Sequence, residues 1–142
     1  DHNGKKLQSI GKELGATTGR VRRCGWFDLV AAKYSASING LTGIALTKLD
    51  ILDSFETIHV CTHYDYKGKK ISEMSKVLNF LDEIKPVYKS FKGWNCSIEK
   101  CNSFEELPLE AKEYIKYLSS AINVPIEIVS IGPKRHQILK IQ

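Results

Sequence analysis

The segment between Gly15 and Gly25 combines hydroxyl, guanidinium and glycine groups in a pattern suited to binding an anion. It contains Thr17, Thr18 and three arginines within residues 20–23. An arginine side chain matches a carboxylate or a phosphate with two parallel hydrogen bonds, and glycine lets the backbone approach a ligand closely. We predict a loop that binds a small, oxygen-rich anion. The alternative is a solvated basic turn, the usual setting for a run of charges.

A second candidate site follows the short apolar run at residues 41–47 and reads Lys48-Leu49-Asp50. A carboxylate accepts two hydrogen bonds from the N1–H and the exocyclic amine of guanine, while a lysine stem can lie across the purine face. Adenine lacks this pair of donors, so the carboxylate would discriminate between the two bases. On spacing alone, a solvated loop is the alternative.

Residues 130–133 follow another apolar run, at residues 124–129. Open α/β sheets bind ligands beyond the carboxyl ends of their strands. If both apolar runs are strands, residues 47–50 and 130–133 lie at such ends.

The elements that must position these loops are predicted from apolar spacing. Helices are expected at residues 5–14, 26–38 and 107–122, the second of them buried. Strands are expected at residues 41–47, buried on both faces, and at 57–64, 86–91, 124–129 and 136–141. The segment 66–84 starts with a turn and is otherwise ambiguous, and 96–106 is expected to be loop. This alternation of helices and strands predicts an α/β fold with a largely parallel sheet.

The composition is that of an ordinary globular domain. The chain has 142 residues, of which 42% are hydrophobic and 26% charged, enough for one core. Its net charge of +5 suits an anionic partner. No apolar run is long enough to span a bilayer, and the first residues do not resemble a signal sequence, so we expect a cytoplasmic protein with no membrane partner. The four cysteines are too few and too irregularly spaced for a disulfide framework.

Five segments together resemble, in order, the C-terminal third of the adenylosuccinate synthetase family. They read GATTGRVRRCGW (15–26), NGLT (39–42), LTKLD (46–50), GW (93–94) and SIGP (130–133). The resemblance implies the C-terminal part of a mostly parallel-sheet, P-loop-NTPase-like fold. It also implies a GTP-dependent ligase of purine synthesis that joins L-aspartate to inosine monophosphate (IMP) through a 6-phosphoryl intermediate.

The same resemblance assigns roles to residues of this chain. A loop that closes on aspartate would comprise Ala16, Thr17, Thr18, Gly19, Arg20, Val21 and Arg22. Arg20 would also reach the ribose of IMP. The GTP-binding residues would be Arg22, Lys48, Leu49, Asp50, Ser130, Ile131 and Gly132.

The chain departs from the family pattern at three positions. Val21 stands where proline or a basic residue is common, Ile131 replaces a threonine, and Lys134 replaces an aspartate ahead of Arg135. Of these, Ile131 removes a hydroxyl from the expected base pocket, where backbone groups at Gly132 could still serve.

No Gly-x-x-x-x-Gly-Lys phosphate loop occurs in residues 1–142. In the family, the phosphate loop, the catalytic aspartate and histidine and the Mg²⁺ ligands belong to the N-terminal part. We therefore expect residues 1–142 to be a C-terminal portion that is inactive alone and contains no catalytic residue or metal ligand. The full-length enzyme is expected to use IMP, L-aspartate, GTP and Mg²⁺ and to form a homodimer.

A rival hypothesis is a non-catalytic, basic module that binds RNA or DNA, motivated by the net charge and by Arg20, Arg22 and Arg23. It is disfavoured because no nucleic-acid-binding motif occurs and the basic residues are spread along the chain. Steep salt dependence of nucleic-acid binding, with no response to GTP, would favour it.

Other chemical groups have structural explanations. His59, Cys61 and His63 alternate along a predicted strand and could hold zinc, but a fourth ligand is not evident and zinc sites favour turn-based spacings. Cys96 and Cys101 are expected to be free thiols and His136 a surface residue. Trp26 and Trp94 are expected in the core rather than stacked on bases.

Overall fold

The computed structural model describes residues 2–141 and contains helices α1 to α3 and strands β1 to β7. The helices are His2–Ile10 (α1), Leu29–Asn39 (α2) and Leu109–Ile122 (α3). The strands are Phe27–Asp28 (β1), Ile44–Leu46 (β2), Thr57–Tyr66 (β3), Lys69–Ile71 (β4), Lys85–Lys92 (β5), Ile126–Ser130 (β6) and Ile138–Lys140 (β7). Short 3-10 helices occupy Leu49–Leu52, Met74–Lys76 and Leu81–Glu83.

The strands form two mixed sheets, so the predicted α/β class is confirmed but the largely parallel sheet is wrong. In the first sheet β3 pairs in parallel with β1 and antiparallel with β4 and β5. In the second, β6 pairs in parallel with β2 and antiparallel with β7. The β3–β4 connection shows why: Lys67 (φ 51°) and Gly68 (φ 80°) form a two-residue turn with positive φ, which forces antiparallel pairing.

Helix α2 begins at Leu29, three residues later than predicted. Residues 27–28 are extended because they pair with β3, and the Asp28 carboxylate then caps the helix. Its Oδ1 accepts hydrogen bonds from the backbone N–H groups of Val30 (3.0 Å) and Ala31 (3.1 Å), which satisfies donors at the helix N-terminus. The helix is buried on one side only, since Ile38 is 64% exposed.

Strand β2 is shorter than predicted and is not buried on both faces. Its central residue, Ala45, is exposed, and Ile44 and Leu46 are half-buried. The reason is topological: β2 lies at the edge of its three-stranded sheet, beside β6.

Helix α3 confirms the predicted amphipathic pattern and supplies one side of the main core. Its buried residues are Ala111, Tyr114, Ile115, Leu118 and Ile122, the five predicted from their spacing. Asn123, with φ 63°, ends the helix in the left-handed conformation that is common at helix C-termini. This face packs in one cluster with buried residues of β3, β6 and β7, so the core links both sheets.

The ambiguous segment 66–84 contains β4 and two 3-10 helices, and it surrounds a smaller cluster. Val77 is fully buried there with Val30, Cys61 and Tyr64. Its apolar residues therefore pack as single side chains from short turns and not as one face of a helix.

Candidate functional site

The glycine-rich segment predicted to bind an anion is a closed turn. Leu14 and Val21 form an antiparallel bridge. Within it, the N–H of Gly15 donates to the carbonyl of Arg20 (2.8 Å), and the N–H of Gly19 donates to the carbonyl of Gly15 (2.8 Å). Gly19 has φ 64°, a conformation that glycine adopts without steric cost. The segment is thus a hairpin whose tip projects from a fixed base.

The tip of this hairpin presents its polar groups to solvent. Thr17, Thr18 and Arg20 are exposed, as are Ala16, Gly19, Val21 and Arg22. The hydroxyl of Thr18 accepts a hydrogen bond from the N–H of Arg20 (3.3 Å). Hydroxyl and guanidinium groups therefore stand where a small anion can reach them.

The predicted segments 48–50 and 130–133 meet at one end of the second sheet, as expected for the carboxyl ends of neighbouring parallel strands. Segment 48–50 follows β2, and β6 ends at Ser130. The backbone N–H of Lys48 donates to the Ser130 hydroxyl at 3.2 Å. Lys48 has φ 60°, an uncommon conformation for a side chain of this size, and the Ser130 contact helps to hold it.

A cleft of about 220 Å³ lies at this end of the sheet, and we call it the Asp50 cleft. Its lining residues are Ile10, Gly11, Lys12, Lys48, Asp50, Ile51, Gly132 and Pro133. Leu49 and Ile131 are 2% and 1% exposed and point into the core. Any contact that these two residues make with a ligand must therefore use backbone atoms. The Ile131 side chain does not supply the hydroxyl of the threonine that the family pattern has at this position.

The Asp50 carboxylate is half-buried and open to a ligand. Burial raises its pKa, and a hydrogen bond from its own backbone N–H and the nearby positive charge of Lys48 oppose that shift. Within residues 2–141 it accepts no hydrogen bond from another side chain. A carboxylate so placed gains from pairing with donors of a bound molecule.

A second cleft, of about 310 Å³, adjoins the base of the hairpin and is called the Arg22 cleft. Its lining residues are Leu7, Glu13, Arg22, Arg23, Cys24, Gly25 and Ile51. Ile51 lines both clefts, so the sites predicted from separate stretches of sequence are neighbours in the fold.

Glu13 joins the two clefts and was missed by the sequence analysis. Its Oε2 accepts from Nη1 of Arg22 at 3.1 Å, and its Oε1 accepts from the ammonium of Lys48. These two donors lower the pKa of Glu13, the Lys48 hydrogen bond most strongly. The available signal was weak: a lone acidic residue just ahead of the glycine-rich loop.

The alternating residues considered for zinc have other partners. His59 Nδ1 lies 3.0 Å from the Ser90 hydroxyl, and His63 Nδ1 lies 3.0 Å from the Thr62 hydroxyl. Cys61 is buried, which raises the pKa of its thiol to about 11. Within the described residues 2–141, no three His, Cys, Asp or Glu side chains are grouped to hold a metal.

The cysteines, the tryptophans and His136 were also assigned structural roles from the sequence. All four cysteines lie in the described part of the chain and are free thiols, which confirms the prediction for Cys96 and Cys101. Trp94 is buried, whereas Trp26 is half-buried and packs edge-on against Phe55 (5.3 Å between ring centroids). His136 is exposed.

In the described residues 2–141, no helix is long and apolar enough to cross a membrane.

Comparisons with known proteins identify the family of this chain. A family model described as adenylosuccinate synthetase matches residues 1–139. The adenylosuccinate synthetase of Geobacter sulfurreducens is 50% identical over 96% of this chain, and that of Geotalea daltonii is 49% identical over all 142 residues of this chain. The chain spans about one third of these relatives, 32% and 33%.

A solved structure gives the same answer for the fold. The fully ligated adenylosuccinate synthetase of Plasmodium falciparum superposes with a TM-score of 0.90 at 35% identity, over all of this chain and 34% of the other. Since the family model covers nearly every residue and the fold agrees, this chain belongs to the adenylosuccinate synthetase family.

Proposed function

We propose that residues 1–142 are the C-terminal third of a GTP-dependent ligase that joins L-aspartate to IMP. In this proposal the chain supplies the aspartate loop and half of the guanine pocket. The observation that carries the proposal is the placement of Lys48, Asp50 and Gly132 around one cleft, beside a second cleft lined by Arg22. The resemblance assigns all four residues to substrate binding.

The Asp50 cleft has the groups that guanine recognition requires. The carboxylate would accept hydrogen bonds from N1–H and the exocyclic amine, which together distinguish guanine from adenine. The lysine stem of Lys48 would cover the purine face. Ser130 would act indirectly, because its hydroxyl already holds the backbone of Lys48.

The hairpin at residues 14–21, together with Arg22, suits a loop that closes on a dicarboxylate. Aspartate carries two carboxylates whose desolvation must be offset, and Thr17, Thr18, Arg20 and Arg22 offer donors on an exposed segment. Closure of the loop would bring these donors to the substrate and exclude water that could hydrolyse a phosphorylated intermediate. Arg20 would in addition contact the ribose of IMP.

The rest of the reaction requires groups outside this chain. We propose that the phosphate loop of a P-loop-NTPase-like fold, the catalytic residues and the Mg²⁺ ligands belong to the remaining part of the enzyme. Residues 1–142 would then be inactive alone, and the full-length enzyme would be a cytoplasmic homodimer.

Replacing Arg22 by leucine tests the aspartate-loop assignment in the full-length enzyme. We expect the KM for aspartate to rise about 10- to 100-fold, because a charge-assisted hydrogen bond contributes about 1.5–3 kcal/mol. Thermal stability should change little, because the Arg22 side chain is 58% exposed and a surface ion pair is worth about 1 kcal/mol or less. Steady-state kinetics and thermal melting provide the two measurements.

The matched control for this variant is Lys69→Leu, which removes an exposed positive charge from the β3–β4 hairpin. It should leave the KM for aspartate unchanged. A large fall in melting temperature for Arg22→Leu, with a normal KM, would instead identify Arg22 as a structural residue.

A further inference from the structure

One carboxylate, that of Glu13, contacts both Lys48, which belongs to the proposed guanine pocket, and Arg22, which belongs to the proposed aspartate loop. Its two oxygens divide between Arg22 and Lys48. The Glu13 side chain is 15% exposed, whereas those of Arg22 and Lys48 are 58% and 46% exposed. The anion is therefore the covered member of this ion-pair cluster, and the cations extend from it toward solvent.

The backbone of Glu13 is anchored on both sides. Its N–H donates to the carbonyl of Gln8 at 3.0 Å, which ties it to α1, and its carbonyl accepts from the N–H of Arg22 at 2.9 Å. Lys48 and Arg22 have long side chains that lose considerable rotamer freedom when they are held in place. The Glu13 backbone is thus anchored and its side chain is the more covered partner, whereas the side chains of Lys48 and Arg22 are long and exposed.

The contact places both cations usefully for a ligand. The Lys48 ammonium donates to Glu13 and also to the carbonyl of Gly11 at 3.2 Å, so both ends of its stem are held at the wall of the Asp50 cleft. Arg22 uses Nη1 for Glu13, and a guanidinium has five N–H donors in all. Arg22 can thus bind a second anion without releasing the first.

We propose that Glu13 is a positioning residue that couples the aspartate loop to the guanine side of the site. One carboxylate sets the relative positions of Arg22 and Lys48, so that occupancy of the Asp50 cleft also orders the hairpin at residues 14–21. The inference deepens the proposed function and rests on it. It assigns no contact between Glu13 and a substrate.

Kinetics of the full-length enzyme with Glu13→Gln test the positioning role. The glutamine keeps the shape but loses the charge, and we expect the KM values for GTP and for aspartate both to rise about tenfold. The melting temperature should stay near that of the wild type, because the pairs formed by exposed cations contribute little stability. Glu73→Gln, which removes an exposed carboxylate paired with Lys76, is the matched control and should leave both KM values unchanged.

Two further variants separate positioning from a merely structural role. Glu13→Asp keeps the charge on a shorter side chain and should restore part of the loss in KM. Adding Glu13→Gln to Lys48→Met should raise the KM for GTP little beyond that of Lys48→Met alone, because residues that act through one another are not additive.

Hydrogen exchange measures the coupling directly. Saturating GTP should slow amide exchange at residues 14–21 in the wild type but not in Glu13→Gln. Wild-type KM values in Glu13→Gln, or GTP-induced protection that survives the substitution, would overturn the proposal.

The variant Asp50→Asn, measured in the same assay, reports separately on the proposed function. Unchanged GTP affinity in Asp50→Asn would overturn the guanine pocket itself. Normal kinetics of Glu13→Gln beside an impaired Asp50→Asn would overturn the role of Glu13 alone.

Discussion

Asp50→Asn is expected to lower the affinity of the full-length enzyme for GTP by about 100-fold. The asparagine amide keeps one acceptor oxygen, but its NH₂ group faces an N–H donor of guanine. One strong hydrogen bond is therefore lost, and two donors face each other. Loss of hydrogen bonds to a charged group costs about 1.5–3 kcal/mol, and 1.4 kcal/mol corresponds to a factor of ten. Xanthine has a carbonyl at position 2, which accepts from the amide, so affinity for xanthosine triphosphate should rise.

Binding of both nucleotides, measured by calorimetry, checks this switch. Asp82→Asn is a matched control, because Asp82 is exposed in a different 3-10 helix, and it should bind GTP normally. If Asp50→Asn binds GTP as tightly as the wild type, Asp50 does not read the base. Parallel loss of both nucleotides with a lower melting temperature would point to a structural carboxylate.

Gly93→Ala is expected to lower the free energy of unfolding by about 3 kcal/mol or more, the upper end of the cost of overpacking. A Cβ on Gly93 would overlap the carbonyl oxygen of Phe55 and lie 2.8 Å from the carbonyl carbon. The clash is with backbone, which cannot move aside as a side chain would. The N–H of Gly93 also donates to the carbonyl of Glu56 at 2.8 Å, so relief of the clash would disturb the β3–β5 pairing.

Gly25→Ala is the control for this substitution, because a Cβ at Gly25 meets no atom within 4 Å. Denaturant unfolding of the two variants should show a large loss for Gly93→Ala and a change within about 0.5 kcal/mol for Gly25→Ala. Equal stability of the two variants would show that strands β3 and β5 separate at low cost near Gly93.

The structure explains the tryptophan of the Gly93-Trp94 motif by its packing and by one hydrogen-bond partner. Sequence alone placed Trp94 in the core, and it is 7% exposed. The indole N–H donates to Oδ1 of Asp53 at 2.7 Å, and the N–H of Ile98 donates to Oδ2 at 3.1 Å. Asp53 therefore anchors the buried Trp94 and the loop that follows it. Neither Asp53 nor Trp94 indicates this role from its own place in the sequence.

Local elements were predicted best where the pattern depends on one segment alone. Helix α3 has five apolar residues at helical spacing, and strand β3 alternates along its first eight residues, so both were recognised. Sheet direction was predicted wrongly because an alternation of helices and strands along the chain does not show which strands pair or in which direction. A two-residue turn at Lys67 and Gly68, and not the alternation of helices with strands, decides the direction of β4.

Sequence by itself determined which residues have the chemistry for the site: the donors of the glycine-rich loop, the carboxylate of Asp50 and the stem of Lys48. Residue type is enough for this, because hydrogen-bonding capacity belongs to the side chain. Only the tertiary structure decided which way each residue faces. It buries the side chains of Leu49 and Ile131 in the core, and it brings Arg22 and Lys48 onto the one carboxylate of Glu13. That meeting depends on α1, the hairpin and the end of β2 packing together, and no spacing along the chain encodes it.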